Sequence, residues 1–390
     1  MVTMIPVRRL WSAVLCGYLA LGATLQVLPE FVVQRFHGGP TLSGTAVGIA
    51  FLATACARPV AGLLADTGRA RPVVLLGGVL GALGGLGHLL APDYAVLLVA
   101  RLLMGAGEAA LFSGALPWVL SGASPQRRGR TAGWFGLSMW GGLAAGPVLA
   151  TALNAAGGFT AVWIGVIGLA IGSALLVLST PKQPPVEPVA AGPRGGLVPA
   201  GASLPGVVLG LSSYGYGTIA ALLVLHLRDN HIGGESVGLA LFAFGFLLTR
   251  LLGSPLVDRL GGARVAACSL VLEILALVLL AVADTAALAL PATVLAGVGV
   301  ALMYPATVAL TLHRTGALRP GAAVGAMTSF WDLGIMAAGP LGGAIAASEG
   351  YPLAFVLAAV IGGLSLALVV TLLRAGRRVG PGAELADATT

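Results

Sequence analysis

The chain reads as a succession of long apolar runs cut by short polar breaks. A helix that crosses a bilayer needs roughly 20 consecutive apolar residues. Runs of that kind lie near 11–33, 43–64, 72–91, 94–120, 131–154, 159–179, 204–228, 236–257, 263–283, 286–312, 322–348 and 352–374. Between the sixth and seventh, the stretch that opens Pro181-Lys182-Gln183-Pro184-Pro185 and continues to Ser203 is the longest polar, proline-rich segment inside the chain. Such composition marks a linker. The pattern predicts an all-α integral membrane protein with twelve transmembrane helices in two six-helix bundles, residues 1–180 and 204–376. Residues 181–203 join the bundles and 377–390 form a tail.

Composition excludes the water-soluble alternative. Hydrophobic residues make up 57% of the 390 and charged residues only 9%, against about 25% charged in an ordinary soluble domain. The 59 glycines suit helices whose backbones approach closely in lipid. The first run follows Arg8 and Arg9 as a signal peptide's would, but it is too long for a cleaved segment and lacks a small-x-small exit. Cys16, Cys56 and Cys268 sit in apolar runs with no CxxC spacing, so they read as small hydrophobes rather than metal ligands or disulfide partners.

Charge sets the orientation. With the N-terminus inside, sixteen basic residues fall on inner segments and only Arg35 and Arg228 on outer ones, three more arginines lying within spans. Cytoplasmic segments carry such an excess, so both termini and the linker are expected in the cytoplasm. The net charge of +7 is explained by this topology, since the arginines are scattered along short loops, and nucleic acid is not an expected partner.

The chain also repeats. Arg58 precedes Asp66 by eight residues, and Arg250 precedes Asp258 by eight, an offset of 192. The same offset carries Gly105 and Gly107 to Gly297 and Gly299, and an offset of 193 carries Gly146-Pro147 to Gly339-Pro340. Two bundles in the same orientation imply a pseudo-two-fold axis along the membrane normal, with a binding site between the halves near the midplane.

These features resemble the major facilitator superfamily over essentially the whole chain. Gly62-Leu63-Leu64-Ala65-Asp66-Thr67-Gly68-Arg69-Ala70-Arg71 is similar to the family's motif after the second span, one residue short after the aspartate, and Asp258-Arg259-Leu260-Gly261-Gly262 is a partial copy. An aspartate at a helix end can accept bonds from a neighbouring helix N-terminus and pair with loop arginines. Asp66, Arg69, Arg71, Asp258 and Arg259 are therefore the candidate conformational latch; a solvated turn with topogenic arginines is the plainer alternative. Arg101-Leu102-Leu103-Met104-Gly105-Ala106-Gly107-Glu108 resembles the fourth-span motif. Gly142, Gly146 and Pro147, with Gly339 and Pro340 in the repeat, match the glycine-proline motif of the family's exporters, although Ala150 and Thr151 replace its final glycines. Close packing and a bend are their expected contribution. The subfamily most resembled is that of bacterial sugar-efflux or arabinose-efflux permeases and drug:proton antiporters.

Ionisable groups inside spans are functional candidates because lipid does not tolerate them unpaired. Glu108 lies roughly 20 Å from the outer end of the fourth span, and Arg101 two turns earlier, about 10 Å along the axis. Both can line one cavity wall without bonding directly. In the repeat Val300 stands where Glu108 stands, and Met139 where Asp332 stands, so neither carboxylate is a scaffold requirement. By family analogy the second and eleventh spans face each other, which would bring Arg58 and Asp332 to similar depths; a switching pair and a constant salt bridge are both open. Glu273 is expected to pair with Arg250 or to line a polar groove. Glu30 is an outer gate or a solvated helix end. Trp331 and Tyr214 are the aromatic cavity candidates, drawn from a group that includes Trp134, Trp140, Tyr216 and Phe330; packing is the competing role for each.

No HExxH, paired metal spacing or GxxxxGK[ST] occurs, so no metal site, cofactor or enzyme activity is expected. The resemblance implies a monomeric carrier in the bacterial inner membrane, surrounded by lipid, that works by alternating access and exports a small organic molecule (a drug, sugar or metabolite) against protons, with the proton gradient as its energy source. A proton-coupled uptake symporter or a facilitator is the alternative on the same fold, and a non-transporting membrane receptor the remote one.

Overall fold

The computed structural model describes residues 5–124, 128–181, 201–315 and 320–378, and among these there are helices and turns but no strand. The linker at 182–200, Arg127, Arg319 and the tail beyond 378 lie outside the described residues, as do the side chains of Asp66, Arg128, Arg130, Arg377 and Arg378. The helices are α1 (Val7–Phe36), α2 (Pro40–Leu64), α3 (Ala70–Leu90), α4 (Tyr94–Ser121), α5 (Arg128–Leu178), α6 (Ser203–Asp229), α7 (Gly238–Leu260), α8 (Gly262–Val282), α9 (Ala286–Ala301), α10 (Met303–Thr315), α11 (Pro320–Glu349) and α12 (Tyr351–Arg378).

Local chemistry explains most of the boundaries. α1 stops at His37, whose left-handed backbone (φ 52) lets its N–H reach Val32 O, and Pro40 then opens α2 at a position where no N–H is needed. Asp93 caps α4 by accepting from Val96 N–H at 3.0 Å.

The predicted fifth and sixth spans are one element on paper, 51 residues long, but Gly157 and Gly158 leave the helical region and Gly158 takes φ 64. The chain reverses there. A Cβ on Gly165 would meet the Leu153 side chain at 2.6 Å, which residues twelve apart on a straight helix could not do. The second arm runs back along α3, Gly78 against Ala174, and the carbonyls at its end accept from arginines in the first turns of α3 and α1. Arg71 Nη2 donates to Leu178 O at 2.9 Å and Arg9 donates to Ser179 O. These cations offset the negative end of the helix.

The predicted tenth span is interrupted rather than continuous, Leu302 (φ -97, ψ -2) forming a turn between α9 and α10. Pro305 is the cause: it has no N–H for Ala301 O, four residues earlier. Arg250 Nη1 supplies the missing donor at 3.1 Å. Counting α5 twice and α9 with α10 once gives twelve crossings, the all-helical membrane fold expected from the hydropathy pattern.

α1 packs on the first arm of α5, α3 on α4, α6 on α11 and α12, and α8 on α9 and α12. The first half meets the second chiefly through α2 and α11. That seam depends on glycine. A Cβ on Gly44 would strike Gly339 O, and one on Gly339 would strike Gly44 O. One turn on, a Cβ on Gly48 would lie only 2.6 Å from Met336 O, the carbonyl that Pro340 leaves without its helical donor. Gly142 and Gly146 instead pack against α1, at Tyr18 and Gly22, so the two copies of the glycine-proline motif serve different seams.

The contacts between halves gather at the end of the bundle away from the chain termini. Thr41 Oγ1 donates to Gly343 O at 3.1 Å, Gln26 Nε2 to Glu235 O at 3.1 Å and Thr151 Oγ1 to Ser236 O at 3.0 Å. Among the described residues, no hydrogen bond or ion pair joins the halves on the termini side of Arg58 and Asp332. Gly44→Val should therefore pry this end apart without unfolding the protein. Cysteines placed at Thr151 and Ser236 should be bridged by a short bifunctional thiol reagent in the parent and bridged several-fold less in Gly44→Val; equal bridging would mean that the glycine seam does not hold this end shut.

Candidate functional site

The deepest contact between the halves is ionic. Arg58 on α2 and Asp332 on α11 meet at two points, Nε to Oδ2 at 2.6 Å and Nη2 to Oδ1 at 3.2 Å. The same Nη2 lies 3.5 Å from Glu108 Oε1 on α4. Asp332 and Glu108 are buried, 1% and 7% exposed, and Arg58 is nearly so at 13%. A guanidinium is a planar fork of five donors, so one arginine can serve two carboxylates at once. Here it serves one carboxylate from each half.

Two neighbours complete the group. Thr54 stands one helical turn before Arg58 and therefore on the same face; its hydroxyl lies 3.0 Å from Ala50 O, 3.0 Å from Gly105 O and 3.4 Å from Glu108 Oε2. It can reach so far because a Cβ on Gly105 would strike Ala50 O, leaving α2 and α4 almost in backbone contact. Tyr18 of α1 is 1% exposed, lies within electrostatic reach of Arg58, Glu108 and Asp332, and its hydroxyl completes no hydrogen bond of ordinary geometry. Sequence reasoning missed both. Thr54 carried a signal in its i, i+4 spacing to Arg58, whereas nothing in the sequence alone turns Tyr18 toward this group.

Arg101 does not face a cavity with Glu108. It is fully buried between α4 and α2, donating from Nε to Ala46 O at 2.8 Å and from Nη2 to Val47 O at 3.2 Å, with Nη1 3.3 Å from Met104 Sδ. It ties two helices together. Glu30 sits at the end away from the termini, where Oε1 accepts from Gln34 at 2.9 Å and lies 3.5 Å from Arg228 Nη1 of α6. Arg228 also bonds Asp229 at 2.9 Å, and Tyr351 O–H donates to Asp229 Oδ2 at 2.6 Å.

Glu273 does not pair with Arg250. It is fully buried and accepts from Ser212 Oγ at 2.7 Å, while Arg250 binds Ala301 O and stands 6.0 Å over the Trp140 ring and 5.8 Å over Tyr304. The bend at Pro305 draws Arg250 toward α9, which the hydropathy pattern could not reveal. Of the latch candidates, Arg69, Asp258 and Arg259 are exposed, Arg71 binds the end of α5, and no ion pair joins Asp258 or Arg259 to another described residue.

A cavity lies between the halves beside this cluster, bounded by α1, the first arm of α5, α6 and α7. Its walls include Trp140, Tyr216, Phe242 and Phe246, together with Gly22 and Leu25; the rest of the lining is leucine, alanine and proline. Tyr216, rather than Tyr214, faces it. Two residues apart on a helix point about 200° apart, so only one of the two tyrosines can do so, and Tyr214 is buried elsewhere with its hydroxyl unpartnered. Trp331 stacks on Tyr216 (centroids 5.6 Å, planes 23° apart) and stands edge-on to Trp140 at 6.2 Å. As the chain neighbour of Asp332, Trp331 links the aromatic wall to the ionic cluster. Among the described residues no group of histidine, cysteine, aspartate and glutamate is placed to hold a metal ion.

Twelve crossings, a shared buried arginine and a cavity at the junction of two halves define a multi-pass membrane transporter. The family model described as the Major Facilitator Superfamily matches twice, at residues 10–208 and 206–388, once for each half. The chain belongs to that superfamily. It is similar to an uncharacterized MFS-type transporter of Salmonella typhimurium, 31% identical over 382 residues that cover 95% of this chain and 97% of that one. It is also 34% identical over 380 residues to one of Burkholderia pseudomallei, covering 94% and 92%. A solved bacterial homolog of the human lysosomal transporter Spinster, in an inward-facing and occupied conformation, shares the fold with a TM-score of 0.75 at 14% identity, covering 94% of this chain and 96% of that one. These are transporters and not enzymes, and the protein is accordingly a secondary transporter.

The ionic cluster makes a stability prediction. Removing one partner of a buried pair costs about 3–5 kcal/mol, so Asp332→Arg should lower the thermal unfolding midpoint in detergent well below that of the parent. Adding Arg58→Asp should regain part of the loss, and full recovery should also need Glu108→Gln, because the new carboxylate would face Glu108. No recovery from either addition would mean that the contact contributes little.

Proposed function

We propose that the protein is a proton-coupled exporter of a small organic molecule, with Glu108 and Asp332 as the proton-binding groups and Arg58 as their common counter-ion. One observation carries this reading: a single buried guanidinium shared by two carboxylates across the contact between the halves. With both carboxylates ionised the group holds one net negative charge, and one proton leaves it neutral. In a low-dielectric interior that difference is large, so proton uptake and release change which contacts the group can keep. The three groups titrate as a unit rather than one by one.

The repeat sharpens the reading. Val300 and Met139 stand where a symmetric scaffold would have carboxylates, so the acidic pair is an addition to the fold. The two-point Arg58–Asp332 contact is that of an ionised aspartate and binds α2 to α11. Protonating Asp332 removes the ionic half of that bond and frees the glycine seam to open. In the orientation that the arginine count supports, the termini are cytoplasmic in a bacterial inner membrane, the closed end faces outward, and the described state is open to the inside. Solute taken up from the inside is carried outward and released; protons then bind from outside, and the protonated protein, no longer held by the ionic bond, returns to the inward-open state, where the protons leave to the cytoplasm as Arg58 regains both carboxylates. The protein works as a monomer in lipid, and needs no cofactor.

Expression in an efflux-deficient bacterial host should raise the inhibitory concentration of at least one organic compound about fourfold or more. In everted vesicles that compound should then dissipate an imposed proton gradient. Glu108→Gln should abolish the dissipation while the protein remains folded and membrane-inserted. A compound that moves with no proton flux would make the protein a facilitator, and proton flux in the same direction as solute would make it a symporter.

A further inference from the structure

The cavity and the charges lie side by side, yet the cavity wall is not charged. Trp140 and Phe246 face one another across α5 and α7 (centroids 4.5 Å, planes 37° apart), Tyr216 and Phe242 do so across α6 and α7 (5.5 Å, 33°), and Phe242 and Phe246 stack at 6.4 Å and 26°. Trp331 extends the set through Tyr216. Five aromatic rings from four helices thus form one continuous set, and four of them, Trp140, Tyr216, Phe242 and Phe246, line the cavity. In lipid, helix packing alone is met by small residues; large rings gathered around a void, drawn from both halves, leave π-faces for a guest.

We propose that this cavity receives an uncharged, planar aromatic solute, stacked against Trp140, Tyr216, Phe242 and Phe246, and that neither a sugar nor an organic cation is its ligand. This names the substrate class for the site described above, and rests on that transporter reading. Aromatic pairs favour offset-stacked or edge-on contacts at the spacings seen here, which a planar ring system can join from either side. A sugar fits poorly. Its hydroxyls would leave water, and the lining offers leucine, alanine, proline and phenylalanine with few polar atoms to replace it. An organic cation fits poorly for an electrostatic reason. The carboxylates nearest the cavity turn to Arg58, while the charge in contact with the wall is the Arg250 guanidinium, 6.0 Å from the Trp140 ring. The indole of Trp140, the wall ring that would attract a cation most strongly, is therefore already under a positive group.

Binding of radiolabelled 1-naphthol to the purified full-length protein, read by scintillation proximity, tests this without any need for proton coupling. The parent should bind it saturably. Phe246→Leu, which keeps an apolar side chain of similar bulk, and Trp140→Leu should each weaken binding by about tenfold or more, roughly what losing a principal stacking contact removes. Size-exclusion profiles and thermal midpoints of both variants should match the parent. L-arabinose and tetraphenylphosphonium in hundredfold excess should not compete. No saturable binding by folded parent protein, unchanged affinity in both variants, or competition by the sugar or the cation would each overturn the proposal. Failure of the proton-flux experiment alone would not, since naphthol binding would persist in Glu108→Gln.

Discussion

A guanidinium buried in an apolar helix bundle is the constraint around which this molecule is arranged. Arg58 sits six residues before the end of α2, only 13% exposed, and a charge held among apolar helices must be met by negative groups. The chain meets it twice, with Glu108 from its own half and Asp332 from the other. Because the partners come from different halves, satisfying the arginine and closing the α2–α11 contact are one event. The same side chain therefore ties charge to shape: what happens to a carboxylate is felt as a change in how the halves meet.

The glycine seam is what lets that event be mechanical. Gly44 and Gly339 bring the backbones of α2 and α11 into contact, with Gly48 set against a carbonyl that Pro340 has released. Helices that approach this closely have no side chains to interdigitate, so they can separate and return without repacking a core. Arg250 shows the other outcome of the same repeat. Its counterpart Arg58 answers to two carboxylates, while Arg250 answers to the carbonyl freed by Pro305 and to two aromatic faces. One arginine serves two carboxylates and the other a carbonyl and two rings, and the asymmetry sets an ionic cluster beside an aromatic-walled cavity.

Much of the fold is legible in the sequence, because hydropathy over twenty residues is a strong signal and lipid allows few alternatives to helices. The depth of Arg58 and Asp332 can be read from distance along their spans, and the counterparts Val300 and Met139 mark the carboxylates as unusual. Rotation about each helix axis cannot be read. Helices nearly apolar all round carry no amphipathic stripe to say which face turns inward, so the sequence points to Tyr214 over Tyr216 and sets Arg101 on a cavity wall it does not line. Local backbone breaks are hidden for a related reason: Pro305 looks like any other proline in a span until the carbonyl it frees is seen to hold Arg250, so the sequence leaves pairing with that arginine and a polar groove both open for Glu273.

The central claim is that the Arg58–Glu108–Asp332 cluster holds the described conformation and that protons release it. Spin labels on cysteines at Thr67 and Leu260, exposed positions at the termini end of the two halves, would report their separation by pulsed electron resonance in nanodiscs. Acidification should shift the distribution toward shorter distances, and Glu108→Gln with Asp332→Asn should hold it there at every pH. A distribution indifferent both to pH and to the paired substitution would contradict the account.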